Sequence, residues 1–316
     1  MPSVTAFERH RVATRERLHR ANVTRPGPGS ISWKVNREII VVAGWGRAIL
    51  LQLAHPLVGA GVHEHSSFRG SLRASLFRLR STVGAMVSLT FGNDEEAIAA
   101  AAGINTIHDR VFGRLHHDAG RFAAGERYSA HDPELLRWVH ATLLDSIPRV
   151  YELLVGPLTA DERDRYCAES AVLEPLLDIP AGLLARNRAE LDAYMRDMLG
   201  GDRIAVTAGS RELARAALFP PRWWLLWPGL RPVQLLTIGL LPDAVRKAYG
   251  FEWTARDARA LSRWTTALRW LGRITPSFLR QWPSSRSAYV KKAGATAGPS
   301  QLPSTIAVTD RSSRPS

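Results

Sequence analysis

LQLAHPLVGAGVHEHSSF at residues 51–68, RLRST at 78–82 and INTIHDRVFG at 104–113 decide the fold. Each reads as helix, and each sets ligand-grade or proton-handling side chains into an apolar stripe. An ordinary helical core avoids such groups, because an unpaired buried polar group costs free energy. Three such segments in succession predict helices arranged around a cofactor site.

The helical pattern extends outward from them. Residues 37–54 are largely apolar, interrupted by Arg47 and Gln52, and the run ends at His55-Pro56, where proline disfavours further helix. It falls short of the roughly 20 uninterrupted apolar residues of a membrane span, so a buried core helix is predicted. Helices are also predicted over 72–90 and 95–112, with Asn93 and Asp94 as the cap between them. Asp132-Pro133 opens another with proline in its first turn. Thr159, Asp161 and Glu162 open the next, and 180–199 reads as one more, amphipathic helix. No alternating run with hairpin turn chemistry stands out, so the class is mainly α: one large all-helical domain.

Composition bounds the rest. RPGPGS at 25–30 is incompatible with helix and separates a basic, flexible arm (1–30) from the folded domain (31–283). Residues 284–316, rich in Ser, Ala, Pro and Gly, read as a disordered tail. The net charge of +13 invites a nucleic-acid reading, but eight of those charges fall in the arm and the tail. The remainder forms no dense basic helix and no recognised nucleic-acid motif, so nucleic acid is the weaker partner and an anionic membrane surface needs only the charge. The single cysteine, Cys167, rules out an internal disulfide and a Cys-rich metal site. With no apolar core in the first 20 residues, the expected location is cytoplasmic, peripheral to a membrane at most. The Trp-rich stretch 220–241 is cut by Pro228 and Pro232. It reads either as an interfacial anchor using Trp223, Trp224, Trp227, Arg222 and Arg231, or as a hydrophobic loop closing the core.

His108 has Ile104 one turn before it and Phe112 one turn after. It reads either as a satisfied core histidine or as an imidazole ligand to iron. Arg78 and Thr82 share one helix face. There a guanidinium pairs with an anionic cofactor group and a hydroxyl donates to a bound ligand, or else the arginine is exposed and the threonine bonds back to its own helix. Glu64, in HEH at 63–65, is a candidate general base. The segment is not HExxH, because Ser67 stands where the second histidine belongs. His140 shares a stripe with Leu136 and Leu144 and is core or supports a site.

Together with YSAHDPELLRWVHATL at 128–143, DERDRYCAES at 161–170 and LPDAVRKAYGFEW at 241–253, these blocks resemble the catalytic-domain family of MpaB-type oxygenases and the rubber oxygenase, or latex-clearing protein. The resemblance covers about residues 33–255. It implies a helical fold, globin-like around haem b, with His108 as iron ligand and with Arg78 and Thr82 beside the cofactor. Glu64 is a looser match to a pocket glutamate. Where the rubber oxygenase carries a distal lysine before its threonine, this chain has Ser81. The implied activity is oxygenation of a hydrophobic, unsaturated small molecule by dioxygen insertion or oxidative C=C cleavage. In that scheme Glu64 handles a proton and Thr82 orients oxygen. The rival readings are a non-haem His/carboxylate metalloenzyme using His55, His63, His65, His108 and Glu64, and a non-catalytic haem-binding or membrane-associated protein.

Overall fold

The computed structural model describes residues 5–65, 72–219 and 227–286, with side chains at all of these except 72–79 and 227–228. The side chains of Arg78 and Trp227, the residues Arg222, Trp223 and Trp224, and the tail from 287 onward lie outside the described residues.

Fifteen α-helices supply nearly all the regular structure among the described residues. Helices α1 (Ala6–Ala21) and α2 (Ile31–Asn36) precede a short 3-10 turn, Ile39–Val42, that leads into α3 (Ala43–Leu53). Next come α4 (Pro56–His65), α5 (Leu72–Phe91) and α6 (Asp94–His108). A small antiparallel ribbon follows, with β1 (Phe112–Arg114) paired to β2 (Arg127–Ser129) and Gly113 opposite Tyr128. Beyond it lie the long α7 (Pro133–Leu154), α8 (Ala160–Ser170), α9 (Leu173–Leu177) and α10 (Arg188–Gly200). Last are α11 (Ala208–Leu218), α12 (Trp227–Gly239), α13 (Asp243–Ala248), α14 (Ala255–Ile274) and α15 (Ser277–Arg280). The architecture is mainly α, as the periodicity predicts.

Several boundaries follow from local chemistry. Asn93 and Glu96 close a capping box at the start of α6, and Thr159 with Glu162 does the same for α8. Asp132 accepts from the amides of Glu134 and Leu135, with Pro133 at the first helical position of α7. The predicted helix over 37–54 begins later, at Ala43, and the one over 180–199 begins at Arg188. The helix predicted over 95–112 stops at His108. Phe112 therefore sits on β1, exposed, and does not continue the stripe of Ile104 and His108.

Helix α3 is the spine of the core. It packs along α7, and Leu50, Leu51 and Trp138 are essentially inaccessible. Its last carbonyls need partners, because α4 restarts at a proline after a sharp bend. Tyr249 Oη donates to Leu50 O (2.6 Å), Trp138 Nε1 to Leu51 O (3.2 Å) and Ser210 Oγ to Leu53 O (2.6 Å). Three distant segments are thereby tied to one helix end. No single described helix is long and apolar enough to cross a membrane. The segments Ile39–Leu53 and Pro56–His65 reach that composition only as a pair bent by 105°.

The N-terminal arm expected to be flexible is instead an ordered helix. Thr5 caps α1, Thr14 is fully buried, and the helix lies along α6. Its arginines meet the acidic first turn of α6: Arg15 bonds Glu95 at 2.7 Å and Arg11 bonds it at 3.2 Å. Arg25, in the linker, donates to Leu89 O (2.6 Å) and Gly92 O (2.9 Å) at the end of α5. The composition that reads as a solvated arm is a charged face matched to another charged face.

Candidate functional site

An apolar cavity of about 250 Å³ lies between α2, α5, α6, α7, α8 and α9. This is close to the lower end of the roughly 300–1,000 Å³ seen for ligand pockets. Helix α7 lines one wall with Leu136, His140 and Leu144, the stripe that the i, i+4 spacing predicts. Helix α5 contributes Met86, Leu89 and Thr90, and α6 contributes Ile104 and His108.

His108 is the sequence-predicted site residue that the structure sets in this wall. Its Nδ1 is buried and has no hydrogen-bond partner among the described residues. Burial, with a smaller contribution from His131, pushes its pKa down to about 4. The ring is therefore neutral at physiological pH, the form that ligates metals. The next residue, Asp109, is held by His10 of α1 (2.9 Å) and His131 (2.8 Å), and the His131 ring stands edge-on to His108 at 5.7 Å. Helix α1 is thus part of the scaffold behind His108.

The other candidates fall elsewhere. Thr82 is exposed on α5, one turn before Met86 on the same stripe, and it does not line the cavity. Ser81 is exposed beside it. Glu64 faces the ribbon: Tyr128 Oη donates to its Oε2 at 2.5 Å, and His116 Nε2 lies 3.1 Å from its Oε1. Tyr128 is buried and the His116 side chain is 73% exposed, so the three form a polar chain leading outward to solvent.

His63 reaches Glu212 (3.6 Å) and His65 reaches the carbonyl of Phe112 (3.0 Å). Buried His55 packs on Phe122 with ring centroids 5.0 Å apart. These histidines diverge, and among the described residues no three His, Cys, Asp or Glu side chains converge as a metal site.

The sequence did not single out the polar end of the cavity, formed by Asn36, Tyr166 and Glu169. Tyr166 Oη donates to Asn36 Oδ1 (3.3 Å), and the Glu169 carboxylate accepts from the amides of Ile31 and Ser32 at the start of α2. The contact is between segments more than a hundred residues apart, so no spacing rule reveals it.

Besides His108, two buried histidines make stability depend on pH. Burial pushes His55 and His140 down to about 4, from about 6.5 in an unfolded chain. Above pH 6.5 both states are neutral and the groups contribute nothing. Between pH 6.5 and 4 only the unfolded chain takes up the proton, so stability falls as pH falls through that window. Each histidine accounts for on the order of 3 kcal/mol across it. Urea unfolding at pH 7 and pH 4.5 should show this loss, and His140→Phe should flatten the slope. An unchanged slope in that variant would mean that His140 is not held neutral.

Fold and site together define a mainly helical protein with an apolar cavity walled in part by a neutral histidine. The chain belongs to the family described as ER-bound oxygenase mpaB/B'/Rubber oxygenase, catalytic domain, which matches residues 33–270, into α14. It is thus an oxidoreductase of the oxygenase type. An uncharacterized protein of Mycobacterium bovis and one of Mycobacterium tuberculosis are each 27% identical to it over 238 residues, covering 74% of this chain and 89% of the relative. No solved structure matches the chain.

Proposed function

We propose that the chain is a haem-b-dependent oxygenase acting on a hydrophobic, unsaturated small molecule with dioxygen. The observation that carries this is His108, a neutral imidazole with an unpartnered buried nitrogen in the wall of an apolar cavity. That donor and its leucine, isoleucine and methionine surroundings fit a porphyrin held by one axial histidine.

His108 would hold the iron, and Arg78 and Thr82, on α5, would address the edge of the cofactor. Haem bound there would supply the electron chemistry that activates dioxygen. The aliphatic wall from α7 and α9 would take up the substrate and exclude water. Glu64 stands at the ribbon outside this cavity, so the proton role proposed for it would need the substrate to extend there, with His116 linking its carboxylate to solvent. Cleavage of a C=C bond to two carbonyl products is the outcome we favour. We further propose a cytoplasmic protein in peripheral contact with a membrane, supported by the lone buried thiol and the net charge of +13.

Protein expressed with haem precursor should carry a stoichiometric Soret band and a b-type pyridine haemochrome, and it should consume oxygen when given long-chain alkenes. Folded protein without the band sinks the haem reading. A full band with no alkene-dependent oxygen uptake sinks the substrate class.

A further inference from the structure

Helix α14 carries two apolar stripes, and only one of them faces the protein. Leu261 and Leu268 pack on the core of α7 and α12, with Thr265 buried between them. Trp264, Ala267, Leu271 and Ile274 form a second stripe at 3–4 residue spacing, and it faces solvent. A helix at the surface of a globular protein needs one such stripe, not two.

The second stripe does not end with the helix. Trp270 beside it is 61% exposed, and Phe278 and Leu279 of α15 are 57% and 61% exposed. Six of the fourteen large apolar side chains that are exposed among the described residues lie within residues 264–279. Gln281, just beyond α15, bridges to Glu38, which brings the exposed Ile39 and Ile40 to the edge of the same patch. An apolar surface gathered from separate segments marks a contact site.

The charges around it select the partner. Arg256, Arg259, Arg263, Arg269 and Arg273 are all exposed on α14, and none has a carboxylate partner among the described residues. Asp257 is the helix's only acid, and it is occupied by its cap and by Arg231. A second copy laid symmetrically on this face would oppose arginine to arginine. Residues 287–316 are basic as well. Indoles, a phenyl ring and aliphatic side chains flanked by unpaired arginines match the interface of an anionic bilayer, where rings sit at headgroup depth and guanidinium groups meet lipid phosphates.

We infer that α14 and α15 are the face by which this protein docks on an anionic lipid bilayer. The inference rests on the proposed peripheral membrane contact and assigns a face to it from residues outside the stretch 220–227; it does not depend on the oxygenase reading. The full chain should cosediment with vesicles of phosphatidylcholine containing phosphatidylglycerol, bind pure phosphatidylcholine far less, and release as salt rises. Replacing three exposed side chains together, Trp270→Ser, Ile274→Ser and Phe278→Ser, should weaken binding at least tenfold with the far-ultraviolet circular dichroism unchanged. Arg269→Glu with Arg273→Glu should weaken it comparably on the phosphatidylglycerol vesicles. The inference is overturned if the parent chain does not bind these vesicles, or if the triple variant binds as the parent does, since another segment would then be the anchor. It is also overturned if the parent is a dimer that the triple variant converts to monomer, because a second copy would then own the face.

Discussion

His108→Leu is expected to yield folded protein that fails to take up the proposed haem, with the unliganded chain no less stable than the parent. The two halves of that result come from the same atom. Nδ1 of His108 is buried without a partner, so removing it breaks no hydrogen bond among the described residues and deletes a desolvated polar group. Leucine roughly fills the volume against Ile104 and the leucines of the cavity wall, so little packing is lost. The proposed ligand role, in contrast, has no substitute nearby. His131 is engaged with Asp109, and His140 lies on a different wall of the cavity. Haem content measured by pyridine haemochrome should drop by about tenfold or more, and thermal melts of the haem-free proteins should agree or favour the variant. A core histidine with a structural role would give the reverse: a lower melting temperature and unaltered haem content.

What the sequence shows clearly is whatever is local. The caps at Asn93, Asp132 and Thr159 are read within four residues of where they act, and the structure has helices starting at each. The cavity-facing stripe of α7 is local too, because a 3.6-residue period assigns Leu136, His140 and Leu144 to one side without reference to the rest of the chain. The end of α6 is a different matter. Periodicity carries the helix on to Phe112, but the chain pairs with β2 from Phe112 onward, and a three-residue ribbon leaves almost no trace in composition.

Long-range complementarity is the larger omission. Arginines in the first 30 residues look like a solvated arm until Glu95 and the carbonyls of Leu89 and Gly92 are placed opposite them. The same holds at the site. Glu64 and His108 both belong to the blocks that carry the family resemblance, yet Glu64 is engaged by Tyr128 and His116 at the ribbon, and His108 faces the cavity. Sequence supplies the chemical type of each group. The distance between groups is set by how α4 and α6 are held, which depends on contacts from α1, β2 and α11 that no local pattern encodes.

Asp145→Ala is expected to be strongly destabilising. Arg47 interrupts the apolar run of α3, and the structure shows why it is tolerated: its side chain is 4% exposed and its NH1 lies 2.8 Å from Asp145 Oδ2. Nε donates to Leu240 O and NH1 to Ser146 Oγ, both at 2.7 Å. Asp145 also receives Arg149 (2.9 Å) and Arg188 (3.1 Å) on its other oxygen. Burial alone would push the Asp145 carboxyl up, but the three arginines hold it below its ordinary range. Removing the carboxylate leaves a buried guanidinium unpaired at the junction of α3, α7 and α10, a loss of about 3–5 kcal/mol.

The double variant Arg47→Met with Asp145→Leu should recover most of that loss. Arg149 is about half exposed and turns to water, and Arg188 keeps Asp192 at 2.5 Å. Urea unfolding of the two single variants and the double variant should give a coupling of about 2 kcal/mol or more. A double variant as unstable as the sum of the singles would mean that each side chain acts through packing rather than through the other's charge. Because α7 carries both Asp145 and the leucines of the cavity wall, loosening it should also lower haem retention in Asp145→Ala. The double variant, with α7 repacked, should restore it.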